Sequence, residues 1–117
     1  MDVDRDSVHG QTALTFAKHL TAGRFDDAHA MLSSNLQQQY LPSDLQQEYS
    51  AMISYGDSAP DFVELITTMD AWPARQTNDL GSAYVAISGD GYSEAVTVIV
   101  AQDSVHAYIR ELEWGRP

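Results

Sequence analysis

The chain has 117 residues, close to the most common size of one domain, and 44% of them are hydrophobic, which is enough to build one core. Asp and Glu number 17 against 6 Lys and Arg, so the formal net charge is −11 at pH 7. Because nucleic-acid affinity depends on cations that replace condensed counterions, this charge argues against a nucleic-acid partner. The absence of Cys excludes disulfides, thiolate metal sites and cysteine nucleophiles.

The first residues lack the basic and apolar segments of a secretory signal, and no later run has the length of a membrane span. We therefore expect a cytoplasmic protein with no membrane partner.

Helical periodicity dominates the first half of the chain. Apolar residues recur at three- and four-residue spacing from about residue 7, which predicts a helix that ends near Gly23. A second helix is predicted from Phe25 or Asp26 to about residue 33, because two aspartates complement a helix N-terminus.

A third helix is predicted by a capping-box pattern, with Ser43 as N-cap and Gln46 at the third helical position. Its apolar residues are expected to face inward: Leu45, Tyr49 and Met52. Asp44 and Glu48, four residues apart, then share the side that faces water.

The second half of the chain has the texture of strands. β-Branched and apolar residues predict a strand over 62–69, and three more are predicted over 83–88, 92–101 and 105–114. The short connections between the last three strands force antiparallel neighbours. Helices followed by strands are the order of an α+β domain, so we expect a single domain of this class over residues 1–117.

Two predicted strands have unusual faces. The third strand is apolar on both sides, where Val96, Val98 and Val100 alternate with Ala95, Ile99 and Ala101. The helices can cover one of these faces, and the other is a candidate homodimer interface. The last strand has no face that is apolar along its full length, so we expect a bulge that exchanges its buried face near Arg110. Arg110 is expected to pair with Glu94 or Glu111, or to offer a cation to a ligand carboxylate.

A Gly-x-Phe-Asp-x-Ala element opens the second helix, at Gly23-Arg24-Phe25-Asp26-Asp27-Ala28, and follows Phe16-Ala17-x-x-Leu20 in the first. Together with the third helix and the strand series to Ile109, this pattern resembles the nuclear transport factor two-like (cone-fold, SnoaL-like) superfamily over almost the whole chain. The resemblance implies helices packed on a strongly bent antiparallel sheet, with a pocket between them. Members include steroid isomerases, dehydratases, polyketide cyclases, transport adaptors and bacterial immunity proteins.

The enzymes of that superfamily use acidic, histidine or tyrosine side chains inside the cone. The residues of this kind here include His29 and Asp61, and we take as pocket candidates Tyr84, Glu94, His106, Tyr108, Arg110 and Trp114. No His-Glu-x-x-His element, nucleophile elbow or nucleotide-binding loop occurs, so we expect no metal or other cofactor. His9, His19 and His29 do not repeat one helical face and are expected to be exposed or half-buried.

Charge gives the leading hypothesis. No Lys or Arg occurs between Arg24 and Arg75, a stretch whose acidic residues we take as the partner-binding set: Asp26, Asp27, Asp44, Glu48, Asp57 and Asp61. We expect a non-catalytic binding protein with a basic protein partner, most concretely an immunity-type protein that neutralises a cationic toxin. The alternatives are a cofactor-independent isomerase, dehydratase or cyclase acting on a small apolar molecule, and a passive carrier of such a molecule.

Overall fold

In the computed structural model of the chain, the described residues are 7–54, 56, 59–72, 75–103 and 106–115. Within these ranges four helices precede four strands: α1 Val8–Thr21, α2 Phe25–Ala30, α3 Ser34–Gln39, α4 Pro42–Ile53, β1 Phe62–Met69, β2 Asp79–Gly89, β3 Tyr92–Gln102 and β4 Ala107–Trp114. The strands form one antiparallel sheet in the order β1-β2-β3-β4. The α+β class is thereby confirmed. Every helix in these ranges is too short or too polar to span a membrane.

The ends of α1 follow from local chemistry. The Ser7 side chain accepts a hydrogen bond from the backbone N–H of Gly10 at 3.0 Å, so Ser7 caps the first turn. At the other end Gly23 adopts a positive φ angle of 76°, and the backbone N–H of Arg24 donates to the carbonyl of His19 at 2.9 Å. A residue without Cβ suits this left-handed conformation, so the predicted glycine stop is confirmed.

The segment after α2 departs from the prediction. The chain leaves the helix at Met31, and a separate helix, α3, starts after Ser33, whose hydroxyl accepts from the N–H of Leu36 at 3.2 Å. Between the two helices Leu32 forms an isolated parallel bridge with Ile109. The Ile109 N–H donates to Met31 and its carbonyl accepts from Ser33, both at 2.8 Å. This segment therefore covers the free edge of β4.

The start of α4 also differs from the prediction. Leu41, not Ser43, is the N-cap, with Pro42 as the first helical residue. Proline is favoured there because the first helical N–H needs no partner. The carboxylate of Asp44 accepts from the Leu41 N–H at 2.9 Å. Asp44 is half-buried, and its carboxylate caps the start of α4, whereas the sequence predicts that it faces water.

The sheet is curled by three irregularities, each an extra residue in one strand: Ile66 in β1, Leu80 in β2 and Arg110 in β4. Such bulges bend a strand and increase its twist. The bulge at Arg110 confirms the predicted change of face in the last strand. Before it Ile109 faces the helices, and after it Leu112 and Trp114 do.

The core lies between the helices and one face of the sheet. Its fully buried large side chains come from α1, α4 and all four strands: Phe16, Leu20, Leu45, Leu65, Ile87, Ile109, Val85, Val96, Val98 and Val100. Tyr49 is also buried, and Met52 packs against this core, as the spacing in α4 predicts. Among the described residues, the buried polar or charged side chains are His9 and Asp79.

Candidate functional site

The predicted partner-binding acids lie mostly on the outside of the helices. Asp26 and Asp27 are exposed in the first turn of α2, Glu48 is exposed on α4, and Asp61 is exposed just before β1. The rings of Phe25 and Tyr49 meet with centroids 6.0 Å apart, so α2 and α4 pack side by side. The aspartate at position 57 lies outside the described residues.

One cation lies next to this set. The Arg24 Nε is 4.0 Å from an Asp27 carboxylate oxygen, and both side chains are more than half exposed. An exposed pair at this distance contributes little to stability. Asp26, Glu48 and Asp61 have no basic side chain within salt-bridge distance in the part of the chain that the structure describes.

The pocket candidates do not converge on one cavity. His106, Tyr108 and Arg110 line an open groove of about 780 Å³ between β4 and the α2–α3 segment. Trp114 packs against the core on the helix side. Tyr84 pairs with Thr97 and alternates with the core residue Val85, so it points away from the helices. The Cα of Glu94 is paired with that of Ile87, a core residue, near the β2–β3 turn.

Polar residues make up most of the groove lining, with side chains that include Gln37, Gln76 and Asp103. Gln37 and His29 contact each other twice. The side-chain amide of Gln37 donates to the backbone carbonyl of His29 at 3.1 Å, and the His29 Nε2 lies 3.2 Å from the backbone carbonyl oxygen of Gln37. His29 therefore has a structural partner. His106 is exposed, and its backbone N–H donates to the Asp103 carboxylate at 2.7 Å.

Arg110 has a different partner from the two that the sequence suggests. Its Nε and Nη2 donate to the two carboxylate oxygens of Asp79, at 2.7 and 2.8 Å. Burial would raise the pKa of Asp79, but hydrogen bonds from Arg110 and the Gln76 N–H, with the charges of Arg110 and Arg75, outweigh it and hold that pKa below its usual value. The hydrogen bonds to Asp79 raise the pKa of Arg110. The predicted pairing of Arg110 with Glu94 or Glu111 is thus wrong. The guanidinium is bound to the Asp79 carboxylate.

Asp79 is the residue that sequence reasoning missed. It begins β2 two residues before Gly81, and Asp and Gly are both depleted in strands, so the strand is predicted to begin only at Ala83. The Arg110–Asp79 contact joins residues 31 positions apart, a separation for which a single sequence carries no signal.

His9 is buried, which corrects the expectation of an exposed or half-buried side chain. It is 6% exposed and lies against Gly81, where an added Cβ would collide with the imidazole ring. The missing side chain of Gly81 therefore makes room for His9. Its Nε2 is 3.6 Å from a carboxylate oxygen of Asp70, whose side chain is 90% exposed.

No cluster of three or more His, Asp or Glu side chains suited to a metal ion occurs among the described residues. Comparisons with protein-family models, with curated proteins and with solved structures found no match for this chain.

Proposed function

We propose that this chain is a non-catalytic binding protein whose acidic surface takes a positively charged protein partner. The observation that carries the proposal is the way in which the fold uses its few cations. Arg110 is bound to the Asp79 carboxylate, and Arg75 donates to the Asp79 carbonyl at 2.6 Å. Among the described acids of α2 and α4, Asp27 alone lies within salt-bridge distance of a basic side chain, that of Arg24. A surface of this kind accelerates encounter with a basic partner.

The finer form of the proposal is an immunity-type protein of the nuclear transport factor two-like superfamily, which neutralises a cationic toxin. It rests on the sequence resemblance together with the order of helices and strands and the curled sheet. An acidic protein that covers a basic active surface would act by charge and shape, without chemistry of its own.

The enzyme and carrier alternatives receive less support from the geometry. Both need an apolar pocket with a few converging polar groups. The groove that holds His106, Tyr108 and Arg110 is open and polar, and its arginine is engaged by Asp79. General acid–base catalysis would need groups poised around one substrate atom, and Tyr84 lies on the opposite face of the sheet from Glu94 and Trp114.

The test is the rate of association with decalysine, measured by stopped flow at low and at physiological salt. We compare Asp26→Asn/Glu48→Gln with the matched control Asp90→Asn/Glu113→Gln, which changes the net charge equally at exposed positions on the sheet side. Asp44 is left intact because it holds the start of α4. We expect the first variant, and not the control, to associate several-fold more slowly with a shallower salt dependence. Equal effects in both variants would show that these helix acids are ordinary solvated surface.

A further inference from the structure

Large apolar side chains are exposed along one strand. Among the described residues five large hydrophobic side chains are exposed, and three of them belong to β1: Phe62 at 52%, Ile66 at 39% and Met69 at 44%. We call these three residues the β1 strip. Isolated exposed apolar residues are normal in proteins, but three in one eight-residue strand form a patch that needs an explanation.

The bulge at Ile66 adds Met69 to this patch, whereas Phe62, which is paired with Ser88, lies on the outer face without it. Leu65 is paired with the core residue Val85, so simple alternation would turn Thr67 and Met69 toward the helices as well. The extra residue reverses the alternation: Thr68 is paired with the core residue Ala83, and Met69 is paired with Ser82 on the other face. A hydroxyl-bearing side chain is thereby turned inward and a methionine outward, the opposite of what burial alone favours.

The surroundings of the β1 strip are acidic. Asp61 and Asp70 flank β1 and are exposed, although one carboxylate oxygen of Asp70 is 3.6 Å from the His9 Nε2, and Glu64 lies within the strand. Neither β1 nor its neighbour β2 contains a Lys or Arg. β1 is also an edge strand, since β2 is its one neighbour in the sheet that the described residues form.

We propose that the β1 strip is the docking site for a protein segment that carries both apolar and Lys or Arg side chains. The apolar side chains of such a segment would cover Phe62, Ile66 and Met69, and its cations would meet the flanking carboxylates. Charge decides against a second copy of the chain. If two β1 strands paired antiparallel about their midpoint, Asp61 of each copy would lie opposite Asp70 of the other, which is repulsive.

The inference rests on the proposed function, because it places part of the basic partner on the outer side of the sheet. The test uses two fluorescent octapeptides, one alternating Lys with Val and one alternating Lys with Ser, titrated into the full chain by fluorescence anisotropy. The test variant is Phe62→Ser/Met69→Ser. The matched control is Leu41→Ser, which removes another exposed apolar side chain, 59% exposed, at the start of α4 where serine is a favoured cap.

We expect the Lys-Val peptide to bind more tightly than the Lys-Ser peptide, and to bind about tenfold more weakly to the test variant than to the control. Equal affinities of the test variant and the control for the Lys-Val peptide would overturn the β1 docking site while leaving the proposed function standing. Failure of both peptides to bind the wild-type chain would overturn both proposals. A wild-type dimer in sedimentation that Phe62→Ser/Met69→Ser converts to a monomer would make a second copy the occupant and would overturn this proposal.

Discussion

Asp79 on β2 and Arg110 on β4 are joined by two hydrogen bonds across β3, the strand that separates them in the sheet. Ala101, the β3 partner of Asp79, is fully buried. The Asp79 side chain is 0% exposed and that of Arg110 is 22% exposed. Two strands flanking a third lie roughly 10 Å apart, so a long side chain must span the gap and the residue between must be small.

Breaking this pair from one side should destabilise the fold. Asp79→Asn leaves the guanidinium without its counter-ion, and we expect a loss of about 2 kcal/mol in the free energy of unfolding, less than for a fully buried pair because Arg110 keeps some water. Urea unfolding followed by tryptophan fluorescence measures it. Asp79→Asn/Arg110→Met should lose less than the sum of the two single variants, and strict additivity would show that the residues are not coupled.

The same pair sets a pH dependence. Because the pKa of Asp79 is held below its value in the unfolded chain, its contribution to stability is present above about pH 4 and is lost as the pH falls through the folded pKa. The difference in stability between wild type and Asp79→Asn should therefore be constant from about pH 5 to 8 and shrink in more acid solution. Urea unfolding at a series of pH values checks this. A constant difference down to pH 2 would contradict it.

Ala101 should tolerate no larger side chain. Ala101→Leu would place three more carbons between β2 and β4, beneath the side chains of Asp79 and Arg110. We expect a loss of about 2 kcal/mol, measured by urea unfolding. The same substitution in the Asp79→Asn/Arg110→Met background should cost less, since the ion pair is no longer there to be displaced.

Gly81 and His9 should be coupled through steric exclusion. Gly81→Ala introduces a methyl group into the space that the imidazole occupies, and we expect it to cost about 1–3 kcal/mol. In a His9→Ala background the space is vacant, so the same substitution should be nearly neutral. Thermal unfolding of the four proteins gives the comparison. An equal cost in both backgrounds would mean that backbone conformation, and not the ring, makes glycine necessary.

Alkaline solution should destabilise the protein through Tyr49. Burial, with a smaller effect of Tyr92, raises the pKa of Tyr49 to about 12 from 10.0, so the unfolded chain ionises first. Stability is then full below about pH 10 and falls as the pH rises from there toward the folded pKa, by about 2 kcal/mol. Tyr49→Phe keeps the ring that contacts Phe25 but has no hydroxyl to ionise, so the stability of this variant should fall less in alkaline solution. The measurement is urea unfolding from pH 8 to 11.5.

The helices and strands that the sequence predicts well are those in which apolar residues recur at a regular spacing. The amphipathic spacing of α1 and α4 gives their buried faces, and the break in alternation within β4 gives the bulge at Arg110. By contrast α3 buries only Leu36 within a run of polar residues, which leaves no period to detect. The extension of β2 to Asp79 is imposed by its pairing with β3 and overrides local propensity.

The candidate site is predicted less well, for physical reasons. A sequence shows that carboxylates outnumber cations, but their uses depend on contacts. Asp44 caps a helix and Asp79 binds an arginine, whereas Glu48 stays in water. The predicted homodimer stays a prediction, which sedimentation tests. The apolar residues Ala95, Ile99 and Ala101 that suggested it are at most 8% exposed within one chain.

The bulge at Ile66 has a consequence for how the outer face of this sheet could change over generations. Removing that single residue would leave every other pair of β1 with β2 in place, because Thr67 would follow Leu65 directly opposite Tyr84, so that Thr68 would still face the helices and Met69 would still face outward. A three-nucleotide deletion could therefore take Ile66 out of the apolar contact surface while Phe62 and Met69 kept their positions, and the reverse insertion could restore it. The chain can therefore vary in length at that position without turning any neighbouring side chain to the other face of the sheet.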